Sequence, residues 1–255
     1  MYDAASFRLD GDICLVTGAG AGIGEAISRC FADAGARVLV TDRDEAAAAR
    51  VAAEIVAAGG VAVGRPCDVT DETSREAAVD AARSAFGGLT ILVNNAGGGG
   101  PKPFDMSMAD FRWAYELNVH ALFRLTQLAV PHMERAGRGA ILNVSSMAGE
   151  NTAPRMASYG SSKAAVNHLT RNIAFDLGPK NIRVNAIAPG AIRTRALASV
   201  LTPQIEAAML ARTPLGRLGE PRDIANAALF LCSRAAAWIS GQVLTVSGGG
   251  VQELD

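Results

Sequence analysis

Ile13-Cys14-Leu15-Val16-Thr17-Gly18-Ala19-Gly20-Ala21-Gly22-Ile23-Gly24 is the stretch on which the fold turns. Apolar and β-branched residues run directly into a turn with glycine at every second place, and an amphipathic pattern follows over residues 23–34. A buried strand that enters a helix through such a turn presents bare backbone N–H groups at the helix N-terminus, where the dipole favours a negative group. A glycine-rich turn can also be no more than a tight turn. Its placement, strand before and helix after, favours a pyrophosphate at Gly18, Gly22, Ile23 and Gly24.

Outward from that stretch the same rhythm repeats. Residues 37–41, 61–65, 90–93, 140–144, 182–187 and 243–246 read as short, nearly continuous apolar strands, and residues 44–58, 72–86, 109–134, 158–177 and 222–231 as helices. Alternation of this kind predicts an α/β fold: a single doubly wound Rossmann-type domain over residues 1–255, with a seven-stranded parallel sheet and helices on both faces. A polar, proline-containing stretch at residues 191–219 interrupts the alternation and is expected to cover a substrate.

Composition narrows the function. The 24 basic and 25 acidic side chains form no long run of either sign, so the basic stripe of a nucleic-acid binder is missing. Cys14, Cys30, Cys67 and Cys232 lack CxxC spacing and read as free thiols in a reducing compartment. His120, His132 and His168 show no ligand spacing, so no metal is expected. Residues 1–12 lack a basic start followed by an apolar run, and no uncharged stretch reaches membrane-spanning length. The expectation is a cytoplasmic protein with no membrane partner.

Asp42 ends the second strand, about twenty residues beyond the glycine turn. A carboxylate there can accept both hydroxyls of an adenosine ribose and would repel a 2′-phosphate, which favours NAD over NADP. Arg43 beside it argues the other way, since a guanidinium can pair with that phosphate. As a helix N-cap, Asp44 is better placed than Asp42. Asp68, with Val69, stands where it can reach an adenine, or else caps the next helix. In Asn94-Asn95-Ala96-Gly97, Asn94 reads as a brace between strand ends, and Asn95, Ala96 and Gly97 bring backbone near the cofactor ribose.

Tyr159 and Lys163 lie one turn apart on a predicted helix face. By themselves they describe a packed tyrosine beside a snorkelling lysine. Ser145-Ser146 at the end of the fifth strand, and Asn118 inside a long helix where asparagine is a poor choice, make the set less ordinary. Taken in order, Thr17-Gly18 with Gly22 and Gly24, Asn94-Asn95-Ala96-Gly97, Asn118, Ser146, Tyr159 with Lys163, and Pro189-Gly190 resemble the short-chain dehydrogenases/reductases over essentially the whole chain.

That resemblance implies a NAD-dependent oxidoreductase that interconverts a secondary alcohol and a ketone, with Asn118, Ser146, Tyr159 and Lys163 as a catalytic tetrad. Tyr159 would exchange the hydroxyl proton, Ser146 would hold the reacting oxygen, and Asn118 would hold a water connecting Lys163 to solvent. Lys163 would also bind the nicotinamide ribose. Pro189, Gly190, Ile192 and Thr194 would dock the nicotinamide and approach the phosphates. A phenol with a pKa of about 10 is a poor base near neutrality, and the Lys163 ammonium and a positively charged nicotinamide would both favour the phenolate. The family also implies a homotetramer.

Within the family, residues 97–106, 109–112, 115–119 and 247–254 resemble the bile-acid hydroxysteroid dehydrogenases, which implies oxidation of a 7α-hydroxyl on a cholate-like steroid. A ketoreductase for a sugar alcohol or a 3-oxoacyl thioester, and a non-catalytic nucleotide sensor, are the competing readings. Met147, Met156, Ile192, Leu197, Val200, Leu201 and Met209 are candidates for an apolar substrate wall, or for packing against the sheet. Arg193 or Arg195 is a candidate to meet a substrate carboxylate.

Overall fold

Seven parallel strands build one sheet in the computed structural model, which describes residues 3–250. They are β1 (Ile13–Val16), β2 (Arg37–Asp42), β3 (Val61–Pro66), β4 (Ile91–Asn94), β5 (Gly139–Val144), β6 (Ile182–Pro189) and β7 (Val243–Val246), in the order β3-β2-β1-β4-β5-β6-β7. Side chains alternate between two cores. Cys14, Val38, Ile91 and Leu142 pack with α1 (Gly22–Asp33), α2 (Glu45–Ala57) and a late helix over Pro221–Cys232. Leu15, Leu39, Leu92 and Ile141 pack with α3 (Glu72–Phe86) and with two helices described below. Burial on both faces explains why inner strands such as β1 and β4 are almost continuously apolar, while the edge strands β3 and β7 are partly exposed. Strand order reverses between β1 and β4, which opens a crevice at the carboxyl ends of the strands.

The long helix expected at 109–134 is interrupted. It consists of α4 (Met108–Tyr115) and α5 (Ala121–Ala136), joined by a π-helical turn over Glu116–His120. The turn contains Asn118 and buries its side chain. Helix α6 (Ala157–Leu177) follows β5. The 191–219 stretch is also more ordered than its polar sequence suggests, for it holds α7 (Arg195–Ala198) and α8 (Pro203–Ala211). Thr194 and Thr202 cap them by accepting from the N–H groups of Leu197 and Ile205, and Pro203 occupies the first turn of α8. The Pro221–Cys232 helix is α9. Of the C-terminal stretch 247–254, residues 251–254 lie outside the described residues.

A buried polar ladder ties the crevice together. Asn94 Nδ2 donates to Asn143 Oδ1 at 2.9 Å, and Asn143 Nδ2 donates to Thr170 Oγ1 at 2.9 Å. These bonds link β4, β5 and α6, with Thr126 of α5 at 3.4 Å from Asn94. Asn94 is therefore a brace between strand ends. In this fully buried setting an unpaired amide is costly. Asn143→Ala is expected to destabilise the protein by about 2–3 kcal/mol. Urea unfolding checks this, and a loss below about 0.5 kcal/mol, the range of an ordinary surface change, would show that the ladder is not coupled.

Candidate active site and dinucleotide cleft

The glycine turn folds as the sequence pattern requires. Gly18 and Gly22 both have φ of +60°, a region that strains residues with a Cβ. A Cβ on Gly24 would strike the Gly18 carbonyl oxygen and come within 2.5 Å of Asn95 Nδ2. Asn95 earns that proximity: its amide donates to the carbonyls of Thr17 (2.8 Å) and Gly18 (2.9 Å), and pins the turn to the end of β4. Ala21 precedes α1 and offers no side-chain cap, so the first amides of that helix are matched to an external anion.

Asp42 holds the turn from the other side. Its Oδ2 accepts from Gly20 N (2.9 Å) and its Oδ1 from Asp44 N (3.0 Å). Each oxygen retains acceptor capacity for a ribose hydroxyl. Asp44, not Asp42, caps α2, through Ala47 N. Likewise Asp71 caps α3, through Ser74 N, while Asp68 Oδ1 accepts from the N–H and the hydroxyl of Thr70. The Thr70 amide bond is the main cause that keeps the Asp68 carboxyl below its ordinary range. Asp42, Arg43, Asp68, Val69, Asn95, Ala96 and Gly97 line a cleft of about 540 Å³. Two of its supports were not legible in the sequence. Trp113 forms part of the wall, and buried Arg75 donates from Nη1 to the Val69 carbonyl at 2.5 Å. An arginine on an amphipathic helix reads as solvated charge, and Trp113 carried no pattern of its own.

Next to it, sharing Asn95 and Gly97, lies a second cavity of about 540 Å³, lined by Gly22, Ile23, Ser146, Tyr159, Lys163, Pro189, Gly190, Ile192 and Thr194. The structure thus gathers nearly all the sequence candidates. Lys163 Nζ donates to the Val144 carbonyl at 2.9 Å and stands 5.9 Å from the Tyr159 ring centre. The two serines divide. Ser145 Oγ donates to the Lys163 carbonyl at 3.1 Å, whereas Ser146 Oγ accepts from Ala148 N and its hydroxyl stands close enough to the Tyr159 phenol to oppose the rise in its pKa. Asn118 binds Gly98 twice, from Nδ2 to its oxygen (2.9 Å) and from its nitrogen to Oδ1 (3.0 Å), and Nδ2 also donates to Ser162 Oγ (3.1 Å). Both amide protons are therefore committed to holding the glycine loop against α6, and the remaining Oδ1 lone pair is what the side chain has for a water. Gly97 is required at this meeting point, since a Cβ there would lie 2.8 Å from Asn118 Oδ1 and 3.1 Å from Lys163 Nζ.

The charge balance corrects one expectation. Burial pushes the Tyr159 phenol above its ordinary pKa, and the opposing bond from Ser146 does not overcome it. Burial also pushes Lys163 down to about 8. In the protein alone, desolvation therefore sets the direction for the phenol, opposed by Ser146 and not by Lys163.

A third cavity of about 290 Å³ opens from Ser146 and is bounded by Met147, Met156, Met209, Asn151 and Arg212. Ile192, Leu197 and Val200 line the neighbouring cavity, while Leu201 lines neither. Asn151 escaped the sequence reading, yet its Oδ1 is buried without a hydrogen-bond partner. Gly99, read in the sequence only as part of the 97–106 stretch, packs under the tyrosine, where a Cβ would come within 2.5 Å of the Tyr159 ring. Arg193 is corrected as a carboxylate receptor: it pairs with Glu206 (2.6 Å) and Glu220 (3.5 Å) and lines neither cavity. Arg195 does line the cleft.

Comparison with known proteins agrees with this geometry. A family model described as enoyl-(acyl carrier protein) reductase matches residues 18–250. The chain is 61% identical over 255 residues to a 7α-hydroxysteroid dehydrogenase of Escherichia coli K12, covering 100% of both chains. A solved structure of 7α-hydroxysteroid dehydrogenase complexed with NADH and 7-oxo glycochenodeoxycholic acid superimposes with a TM-score of 0.97 at 61% identity, again over 100% of both chains. A short-chain type dehydrogenase/reductase from Mycobacterium marinum superimposes with a TM-score of 0.90 at 36% identity, over 95% of this chain and 96% of that one.

The buried ammonium has a thermodynamic signature. Its pKa of about 8 lies below the ordinary 10.5, so between those values the unfolded chain keeps a proton that the folded chain has released. Stability should therefore rise with pH over that interval. Unfolding free energies of the unaltered protein and Lys163→Met, measured from pH 7.5 to 10, are expected to diverge in favour of the unaltered protein as pH rises. A constant difference would mean that Lys163 is not desolvated.

Proposed function

The chain belongs to the short-chain dehydrogenase/reductase family, and on that footing we propose that it is a NAD-dependent dehydrogenase oxidising the 7α-hydroxyl of a bile-acid steroid to the ketone. The observation that carries this reading is that the cavity holding Ser146, Tyr159 and Lys163 shares Asn95 and Gly97 with the cleft at Asp42 on one side and Ser146 and Gly190 with the cavity at Met209 on the other, together with full-length identity of 61% to a 7α-hydroxysteroid dehydrogenase.

The residues present fit a dinucleotide. Asp42 would take the adenosine ribose, with Asp68 and Val69 beside the adenine. The glycine turn and the uncapped α1 would receive the diphosphate, and Lys163 the nicotinamide ribose. Pro189, Gly190, Ile192 and Thr194 would border the nicotinamide. When bound, NAD supplies the hydride acceptor. Ser146 would donate a hydrogen bond to the substrate oxygen, and Tyr159 would remove the hydroxyl proton. Lys163 would favour the phenolate in the loaded site, and Asn118 would keep the glycine loop and α6 in register. A phenol raised by burial is protonated near neutrality, so oxidation should quicken as pH rises and deprotonates Tyr159, while reduction is served by the phenol itself.

Asn151, with its buried and unpartnered Oδ1, would accept a second donor from the steroid, and the methionines beside it suit a rigid apolar body. Among the described residues no helix is long and apolar enough to cross a membrane, and a cytoplasmic location fits this chemistry. Exposed Phe104, Met108, Trp113 and Phe123 near α4 and α5, and Phe175, Trp238 and Leu244 elsewhere, support a homotetramer, because apolar groups of that size are usually covered by a symmetric partner.

The direct test is NADH formation with cholate. Turnover is expected with cholate, absent with 7-deoxy and 7β-hydroxy analogues, and reduced at least a thousandfold, roughly 4 kcal/mol of barrier, by Tyr159→Phe. Activity confined to a sugar alcohol or a 3-oxoacyl thioester would overturn the steroid assignment and leave the dehydrogenase. Sedimentation at micromolar concentration should give a tetramer, and a stable monomer would refute the assembly.

A further inference from the structure

Arg195 is a basic side chain in the cleft that the alcohol chemistry does not use. It opens α7, is exposed, and lines the same cavity as Ala21, Gly22 and Ile23 at the start of α1. Its neighbour Thr194 stands over the glycine turn, since a Cβ on Gly22 would lie 3.3 Å from Thr194 Cγ2. Among the described residues, Lys163 and Arg195 are the charged side chains in that lining, and no acid there balances them.

Arg43 lies in the adjoining cleft beside Asp42 and Asp68, and the other cations near the turn are already committed. Arg193 is taken by Glu206 and Glu220, and Arg29 and Arg50 share Glu25 and Glu54. Lys163 donates to the Val144 carbonyl. Among the described residues no carboxylate pairs with Arg195. A dinucleotide's diphosphate is doubly negative, whereas a helix N-terminus offers only about half a positive charge. A further cation is therefore missing from the turn side of the site.

We propose that Arg195 binds the diphosphate of the dinucleotide and so draws the 191–219 segment over the cofactor. A guanidinium matches phosphate oxygens with paired donors, and its seat on α7 couples that bond to the segment that also contributes Leu197 and Val200 to the cavity. The inference rests on the dinucleotide site and is independent of which alcohol is oxidised. It reassigns Arg195 from the substrate's carboxylate to the cofactor, because the residues around it are those of the glycine turn.

The test is equilibrium binding of NADH, followed by its fluorescence, with ADP-ribose and adenosine as competitors. At low salt Arg195→Ala is expected to weaken NADH and ADP-ribose about tenfold, the loss of one charge-assisted hydrogen bond, and to leave adenosine unchanged. Added salt should weaken NADH binding to the unaltered protein more than to Arg195→Ala, and Arg195→Lys should fall between them. Unchanged NADH affinity in Arg195→Ala would overturn the proposal. So would a defect confined to the KM of carboxylated steroids against neutral ones, which would return Arg195 to the substrate. Absence of NADH binding by the unaltered protein would remove the dinucleotide reading along with it.

Discussion

Two hydrogen bonds lock α6 to the end of β5, and the site depends on them. Lys163 Nζ donates to the Val144 carbonyl, and Ser145 Oγ donates back to the Lys163 carbonyl. A helix normally leaves a lysine head free to reach water. Here the ammonium is turned inward against a strand end, at an electrostatic cost that shows in its lowered pKa. With α6 fixed in this way, Tyr159 one turn earlier faces Ser146 across the crevice. Gly149 and Gly160 permit the close fit: a Cβ on the first would lie 2.7 Å from the Lys163 carbonyl carbon, and one on the second 2.9 Å from the Ala148 oxygen. The chemistry is thus bought with backbone contacts as much as with side chains.

Sequence alone conveyed the sheet, its parallel sense and most of the cleft, and the physical reasons are particular. Strand-to-helix alternation leaves a periodic trace, and glycines at Gly18, Gly22 and Gly24 mark places where a Cβ cannot stand. Those signals are local. What stayed hidden depends on long-range arrangement. The π turn at Glu116–His120 leaves no mark in the apolar pattern of the helix, so Asn118 stood out locally only as a poor helix former and took its place in the tetrad from the family resemblance. Nothing local in the sequence marks Arg75 as a residue whose guanidinium is folded under Val69. The pKa of Tyr159 could not be read from its neighbours in sequence, because burial, the larger cause, is a property of the packed fold.

Arg193 and Arg195 illustrate the same limit at its smallest scale. Both stand in one short stretch and have the same chemistry, yet Glu206 and Glu220 claim the first, and the second lies along the cleft. Residues two apart around a tight turn face different surroundings. The separating fact is the isolated bridge between Ile192 and Gly219, in which Arg193 N donates to the Gly219 oxygen and Gly219 N donates to the Ala191 oxygen. That bridge fixes which way the chain leaves β6.

The 191–219 segment then occupies an unusual position between cofactor and alcohol. Ala191, Ile192, Thr194, Arg195 and Leu197 border the cavity that holds Tyr159 and Lys163, while Met209 and Arg212 border the one that opens beyond Ser146. Few of its side chains are buried, and its helices are short and capped by single threonines, which places it at the low-stability end of the fold. A segment held by so little can be biased by a single strong ligand contact. Closure over the cofactor would shape the wall of the substrate cavity at the same time, since both contacts belong to one continuous piece of chain. Such a wall, completed by the proposed Arg195 contact, would favour cofactor first and alcohol second, and would exclude water from the buried ammonium when the phenol must release its proton.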